Sequence, residues 1–204
     1  HPIHTEVVAS LKNRDELLSS LCGFSSLLLF IKYIDLNKNR FLIFAFLLFL
    51  LGFLAKPGIL VFVILIPLTL YFFTNANLKR IGFILLSLII LSVILKYMPR
   101  FILPAPNRPV DFFENPLYFE TGIEKRIAMG FTSAWYYLGF LIIPFPLRYY
   151  YGFDQVPITG FSDWFVILSA LVHIGLLVYA LYNLKKKSVF SYSILFYLVS
   201  ISIY

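Results

Sequence analysis

Residues 41–73 read FLIFAFLLFLLGFLAKPGILVFVILIPLTLYFF, two apolar runs separated by the tetrapeptide Ala55-Lys56-Pro57-Gly58. A helix on the surface of a soluble protein has a polar side, and neither run has one. The Pro-Gly pair is typical of a turn. This stretch therefore predicts a hairpin of two apolar helices in a bilayer, with Lys56 at its tip.

The rest of the chain repeats this pattern. Apolar residues make up 60% of the chain and charged residues only 13%, and the mean hydropathy is +0.87; soluble domains are about a quarter charged. Runs close to the ~20 residues that span a bilayer predict an all-α, polytopic integral membrane protein with about six transmembrane helices. These runs are Leu17–Ile34, Phe41–Leu54, Ile59–Phe73, Ile81–Tyr97, Trp164–Tyr182 and Phe190–Ser202. Phe131–Pro146 is a further candidate that we interpret as not crossing.

Charge predicts the orientation of these spans. Three short connections that share one side hold eight basic residues and one acid, Asp35, a net charge of +7, whereas the opposite side is balanced. Lys and Arg in short loops favour the cytoplasm. The basic residues are Lys32, Lys38, Arg40, Lys79, Arg80, Lys185, Lys186 and Lys187. Fusing residues 41–73 into one helix, or letting 131–146 cross, spreads this charge over both sides, so basicity here indicates topology rather than nucleic-acid binding.

The predicted orientation makes residues 98–161 one large external loop. Its amphipathic stretch Leu117–Leu138, preceded by an Asn115-Pro116 pair suited to a helix start, predicts helices lying at the outer membrane interface. We predict one membrane domain over residues 1–204. Because the chain opens without Met and stops within an apolar run, we interpret it as a piece cut at both ends.

Three basic residues on the predicted outer side form a candidate lipid-phosphate site: Arg14, Lys56 and Arg126. Hairpin arms of about 15 residues reach only ~22 Å of the ~30 Å hydrocarbon core, so the charge of Lys56 should lie below the outer lipid surface. An ionisable residue at that depth is a functional candidate. The simpler interpretations are snorkelling for Lys56 and a surface ion pair for the Lys125-Arg126 pair.

A second polar cluster lies at His1, His4 and Glu6. Imidazole and carboxylate groups bind metals, but two histidines and one glutamate in so short a stretch are more typical of a hydrogen-bonded loop. We therefore predict no metal site there. The single cysteine, Cys22, excludes a disulfide framework and should pack as a small apolar residue.

Several motifs together resemble a known family. His1-Pro2-Ile3-His4-Thr5-Glu6-Val7-Val8 with Arg14-Asp15-Glu16-Leu17-Leu18 is similar to a signature of the transmembrane and tetratricopeptide-repeat-containing O-mannosyltransferases and their bacterial relatives. Ala55-Lys56-Pro57 resembles the hairpin of that family. Asn115-Pro116-Leu117, Arg126, Tyr137-Leu138-Gly139 and Pro144-Phe145-Pro146-Leu147 resemble its large luminal loop. The resemblance covers residues 1 to about 152.

The resemblance implies a glycosyltransferase of the GT-C superfold. Such an enzyme transfers a sugar, here mannose, from a polyprenyl- or dolichyl-phosphate carrier to an acceptor hydroxyl, here on a protein or glycan, at the external or luminal face. The membrane would be a bacterial inner membrane or the endoplasmic reticulum. The resemblance implies no particular cofactor and leaves a divalent metal open.

The resemblance also implies roles for individual residues. Arg14, Lys56 and Arg126 would bind the lipid phosphate, and His4 and Glu6 would shape the acceptor or sugar pocket. The catalytic Asp would precede His1, which makes residues 1–204 alone inactive. Pro57 stands where animal members carry Glu.

Two other function classes fit the composition. A transporter or flippase of lipid-linked sugars would carry charges or broken helices at mid-membrane in matched halves, and the sequence offers only the Lys56 hairpin. If the chain were a non-catalytic membrane scaffold, the external motifs would have no function. Nucleotide-driven chemistry is disfavoured, because the inner connections are too short to hold a nucleotide.

Overall fold

The computed structural model describes residues 4–102, 117–120, 122–145 and 156–202, except for the side chains of residues 6, 11 and 99–102. These residues form helices and no strand, which confirms the all-α prediction. The helices are α1 (Thr5–Ala9), α2 (Arg14–Leu36), α3 (Asn39–Ala55), α4 (Phe62–Phe73), α5 (Leu78–Ile102), α6 (Ile123–Ile142), α7 (Trp164–Tyr182) and α8 (Val189–Ile201). Short 3-10 helices cover Leu11–Asn13, Pro57–Val61 and Leu184–Lys186.

Three of the described helices are long and apolar enough to cross a membrane: Arg14–Leu36, Leu78–Met98 and Trp164–Tyr182. The other three predicted spans coincide with shorter apolar helical segments, Asn39–Ala55, Pro57–Phe73 and Val189–Ile201. Large apolar side chains on these segments lie on the outer surface, for example Leu21, Ile43, Ile90 and Leu171. Such a surface suits a lipid environment.

The chain divides into two compact units. The bundle unit comprises Thr5–Ala105 and Tyr179–Tyr204, and the insertion unit comprises His1–His4 and Pro106–Val178. The single membrane domain stays a prediction, and each unit is described by itself below.

Small residues let α2 approach α3 and the Lys56 turn closely. The Ser26 hydroxyl donates a hydrogen bond of 2.8 Å to the Ala45 carbonyl. A β-carbon on Gly52 would lie only 2.9 Å from Cβ of Cys22 and 2.3 Å from Cδ1 of Ile59. Interfaces of this kind are typical of helices that pack in membranes. Cys22 is buried in this interface, as predicted.

The hairpin turn lies where the sequence predicts it. Helix α3 ends at Ala55, the Lys56 amide donates to the Gly52 carbonyl at 2.9 Å, and a 3-10 helix begins at Pro57. The arm before the turn has 17 residues, and the arm after it combines 5 residues of 3-10 helix with 12 of α-helix. At about 1.5 and 2.0 Å per residue these arms reach roughly 25–28 Å. The arms are therefore longer than predicted, because the helix ends extend beyond the apolar runs.

The second half of the bundle unit packs around α4. Helix α5 contributes a buried stripe at Ile81, Ile84 and Leu88, the three- and four-residue spacing of one helix face. Helix α8 is joined to α4 by the hydroxyls of Thr69 and Tyr192, 3.0 Å apart. The contacts tie α5 and α8 to the hairpin that carries Lys56.

The insertion unit contains α6 and most of α7. Helix α6 begins at Ile123, after the predicted start at Leu117, because residues 117–119 form a turn; the proposed Asn115-Pro116 start lies outside the described residues. The Ser169 hydroxyl on α7 donates to the Phe131 carbonyl on α6 at 2.7 Å. Helix α6 carries charged residues in its first turn and is not among the described helices that are long and apolar enough to cross a membrane. That residues 131–146 do not cross stays a prediction.

Candidate functional site

An ion cluster at the hairpin turn is the best-defined candidate site. Nζ of Lys56 lies 2.5 Å from Oε1 of Glu16 and 3.5 Å from Oδ2 of Asp15. All three side chains are partly exposed. We call Asp15, Glu16, Ser19 and Lys56 the Lys56 end of the bundle unit.

The start of α2 positions the two acids. The Ser10 hydroxyl accepts from the Lys12 amide, and a 3-10 turn leads into α2 at Arg14. Asp15 and Glu16 therefore stand in the first helical turn, where the partial positive charge of the helix start favours carboxylates. The chain thus presents both acids at the polar beginning of an apolar helix.

A hydrogen bond fixes the turn against α2. The buried Ser19 hydroxyl donates to the Lys56 carbonyl at 3.1 Å. This bond lies one turn beyond Asp15 and Glu16, so it holds the Lys56 backbone within about one turn of the acids. Lys56 thus lies near the polar start of α2, and its predicted position below the outer lipid surface stays a prediction.

The acids also set the protonation state of the ammonium. The hydrogen bond that Lys56 donates to Glu16 raises the pKa of Lys56; partial burial opposes this, and the charges of Glu16 and Asp15 add to it. Lys56 is therefore a cation at neutral pH. An ammonium has three N–H donors, and the two carboxylates engage two of them.

The remaining predicted phosphate ligands are distributed over both units. Arg14 is exposed and directly precedes the two acids in α2. Arg126 belongs to the insertion unit, where its guanidinium donates to the Glu120 carbonyl at 3.3 and 3.4 Å. Lys125 forms an exposed ion pair of 2.7 Å with Glu120, so the surface ion-pair interpretation is right for Lys125. The grouping of Arg126 with Lys56 stays a prediction.

The predicted pocket residues are only partly described. His4 is exposed and precedes α1, whereas His1 and the side chain of Glu6 lie outside the described residues. Within the described part of the chain, no group of three or more His, Cys, Asp or Glu side chains converges on a metal-sized site. The roles of His4 and Glu6 stay predictions.

The sequence interpretation missed His173. This residue stands at the midpoint of α7, a helix apolar enough to cross a membrane, and it is buried. Its Nδ1 lies 2.8 Å from the Ser169 carbonyl oxygen, to which it can donate. A titratable side chain in the middle of an apolar run is the sequence signal that would have found it.

Comparisons with protein-family models, with curated proteins and with solved structures find no significant match to this chain. The Lys56 end, the apolar helices and the sequence motifs are therefore the features of the chain that bear on its function.

Proposed function

We propose that the chain is part of a membrane-embedded glycosyltransferase of the GT-C type that acts on a sugar carried by a polyprenyl phosphate. The observation that carries this proposal is the Lys56 end: an ammonium held by two carboxylates at the start of a helix apolar enough to cross a membrane. A lipid-linked phosphate, whose tail lies in the hydrocarbon, would meet a protein cation at this level. Mannose as the sugar follows from the sequence resemblance alone.

The proposed reaction is a displacement at the anomeric carbon. A carboxylate, which the resemblance assigns to a segment preceding His1, takes the proton of the acceptor hydroxyl as the oxygen attacks. The bond from the anomeric carbon to the phosphate oxygen breaks, and the polyprenyl phosphate leaves with both bonding electrons. Lys56 stabilises the negative charge that develops on the leaving phosphate.

Because Lys56 is paired with two carboxylates, a phosphate needs further positive charge in order to bind beside it. Asp15 and Glu16 orient the ammonium and leave its third N–H for a phosphate oxygen, but their charges repel the phosphate. Arg14, next to both acids in α2, brings the local charge to zero before the phosphate arrives. We propose that Arg126 supplies the additional positive charge in the assembled enzyme, since a guanidinium can hold two phosphate oxygens at once.

The experiment compares three alanine variants in the full-length enzyme. Release of polyprenyl phosphate should fall roughly 30- to 1,000-fold for Lys56→Ala and Arg126→Ala, the effect of losing about 2–4 kcal/mol of transition-state stabilisation. Lys125→Ala is the matched control and should stay within a few-fold, because its ion pair is exposed. Equal rates for all three variants would contradict the phosphate site. Residues 1–204 alone should insert in a membrane without turnover.

A transporter of lipid-linked sugars is the second candidate, because His173 is buried at the midpoint of an apolar helix. Polar groups at that depth commonly line transport pathways. The two functions differ in their products: a transporter moves the intact lipid-linked sugar across the bilayer and releases no polyprenyl phosphate. Movement of the lipid-linked sugar without release of polyprenyl phosphate would favour the transporter and contradict the transferase.

A further inference from the structure

The end of the bundle unit opposite Lys56 is strongly basic. Its three connections, α2–α3, α4–α5 and α7–α8, together with the helix ends that flank them, carry eight basic residues and one acid, Asp35. We call these basic residues the basic end: Lys32, Lys38, Arg40, Lys79, Arg80, Lys185, Lys186 and Lys187.

Side-chain contacts bring these connections together. The guanidinium of Arg80, in the first turn of α5, donates to the amide oxygen of Asn37 and lies 5.2 Å from the ring centre of Tyr33, at the end of α2. Nζ of Lys187, in the α7–α8 connection, lies 5.0 Å from the ring centre of Tyr71, in the last turn of α4. The basic end is therefore one surface assembled from three separate parts of the chain.

The positive charge on this surface is not neutralised by acids. The ion pairs in the part of the chain that the structure describes are those of Lys56 with Asp15 and Glu16 and of Lys125 with Glu120. None of them involves the basic end. Aromatic rings and an amide oxygen orient Arg80 and Lys187 without cancelling their charge. Cations at the same end of the bundle unit repel one another, so a bound anion would stabilise the surface.

Apolar side chains border the cations. Leu78, at the start of α5, and Phe190, at the start of α8, are both large and exposed. An anion that carries a hydrocarbon tail would contact both kinds of group, whereas a free inorganic anion would contact the cations only. Basic pockets between helices at the cytoplasmic ends of spans are suited to the headgroups of anionic lipids.

We propose that the basic end binds the phosphate headgroup of an anionic phospholipid, with Arg80 and Lys187 as its main ligands. The guanidinium of Arg80 can present two parallel N–H donors to the phosphate, and the Lys187 ammonium adds a point charge. Tyr33 and Tyr71 hold both cations at the level where headgroups lie. The acyl chains lie along the exposed apolar surface of α5 and α8.

The test uses the complete protein in detergent, titrated with phosphatidylglycerol or with phosphatidylcholine of the same acyl chains. Binding is followed by native mass spectrometry at low and at high salt. We expect phosphatidylglycerol to bind at least about tenfold more tightly, with a preference that shrinks as salt screens the charges. Each basic residue at a membrane surface contributes a factor of about five, so Arg80→Gln/Lys187→Gln should weaken binding of phosphatidylglycerol roughly 10- to 30-fold.

The matched control removes two cations from the other end of the bundle unit. Lys12 is exposed, and Lys96 lies 5.9 Å from the ring centre of Tyr97, so Lys96 shares the cation–ring geometry of Lys187. Lys12→Gln/Lys96→Gln should leave the affinity for phosphatidylglycerol within a factor of about two, since both charges lie well beyond one Debye length from the basic end.

Equal affinity for the two lipids would overturn the proposal, and so would an equal loss of affinity for phosphatidylglycerol in the two double variants. Displacement of phosphatidylglycerol by equimolar inorganic phosphate would also overturn it, because that result would identify a site for free anions. If Arg80→Gln/Lys187→Gln does not fold, Lys187→Gln alone still decides, because Lys187 is exposed in a connection. It should weaken binding about fivefold. This inference is independent of the proposed transferase activity.

Discussion

The cations at the two ends of the bundle unit have different kinds of neighbouring groups. At the Lys56 end one ammonium meets two carboxylates, and the Ser19 hydroxyl fixes its backbone. At the basic end Arg80 and Lys187 meet aromatic rings and an amide oxygen, and the excess charge remains. Helix α2 joins both ends, and its 23 residues correspond to about 34 Å.

The difference indicates what each end can bind. A cation whose charge is already balanced by carboxylates binds an anion only when a second cation neutralises the charge of that anion. Such a site can be selective for the ligand that brings the second cation into place. An uncompensated basic surface attracts any anion at the membrane, with a strength that depends on salt. The proposed chemistry therefore fits the Lys56 end, and the proposed lipid binding fits the basic end.

The first prediction is that the two ends lie on opposite sides of a membrane. Lys12 precedes α2 at one end, Lys186 lies at the other, and both side chains are exposed. In a Cys22→Ala background we expect an impermeant thiol reagent to label Lys12→Cys in intact cells of the expression host, and Lys186→Cys only after permeabilisation. Labelling of both variants from outside would show that the bundle unit does not separate them across the bilayer.

The second prediction concerns the packing that builds the Lys56 end. Gly52→Ala should destabilise the folded chain by about 1–3 kcal/mol, because the new methyl group has to displace Ile59 and Cys22. The same substitution at Gly82 is the control, because an added β-carbon there would meet no atom within 4 Å beyond its own stretch of helix; it should be neutral or stabilising by up to about 1 kcal/mol. Both free energies of unfolding are measured by denaturant titration in one detergent.

Equal free energies for Gly52→Ala and Gly82→Ala would contradict the close approach of α2 and the hairpin. If only Gly52→Ala lowers the free energy of unfolding, this variant should also show weaker protection of the Lys56 turn in hydrogen exchange, because the packing at Gly52 holds that turn against α2.

The third prediction tests the ion cluster through pH. Glu16 and Asp15 raise the pKa of Lys56 above its ordinary value of 10.5. The contribution of the ion cluster to stability is therefore fully present below about pH 10.5 and is lost as pH rises through the higher, folded-state pKa. Lys56→Gln should remove this alkaline loss. At pH 8 it should cost about 0.5–1 kcal/mol, a small effect because the pair is partly exposed.

The matched control for the ion cluster is Lys12→Gln, which removes a lysine before α2 that has no carboxylate partner among the described residues. Its stability should decline at alkaline pH as in the unmodified chain. An unchanged alkaline decline in Lys56→Gln would mean that the ion cluster does not stabilise the fold.

Much of the helical architecture follows from the sequence. The apolar runs and the Pro57-Gly58 pair locate the hairpin, since neither feature depends on distant contacts. The spread of the basic residues over three connections also predicts a shared end, and the contacts of Arg80 and Lys187 confirm it for the bundle unit.

The candidate site is less predictable. Asp15 and Glu16 are some 40 residues from Lys56 in the sequence, and their pairing depends on the closeness of α2 and α3, which small residues such as Gly52 determine. The start of α6 was missed because the amphipathic pattern continues upstream of the helix. Hydrophobic periodicity describes one helix at a time and does not indicate which polar residues of two helices meet.

The last prediction concerns the helices between the two ends. Ser26 on α2 donates to the Ala45 carbonyl on α3, whereas the buried Ser92 hydroxyl on α5 has no hydrogen-bond partner among the described residues. Ser26→Ala should therefore cost about 0.6 kcal/mol, a typical value for a hydrogen bond between membrane helices. Ser92→Ala removes an unsatisfied buried hydroxyl and should be neutral or stabilising by up to about 1 kcal/mol. Denaturant titration of the two variants gives the difference directly. If Ser92→Ala is the more destabilising change, the Ser92 hydroxyl has a hydrogen-bond partner in the folded protein. In that case the contacts of α5 would stabilise the bundle unit between its two ends more than the α2–α3 hydrogen bond does.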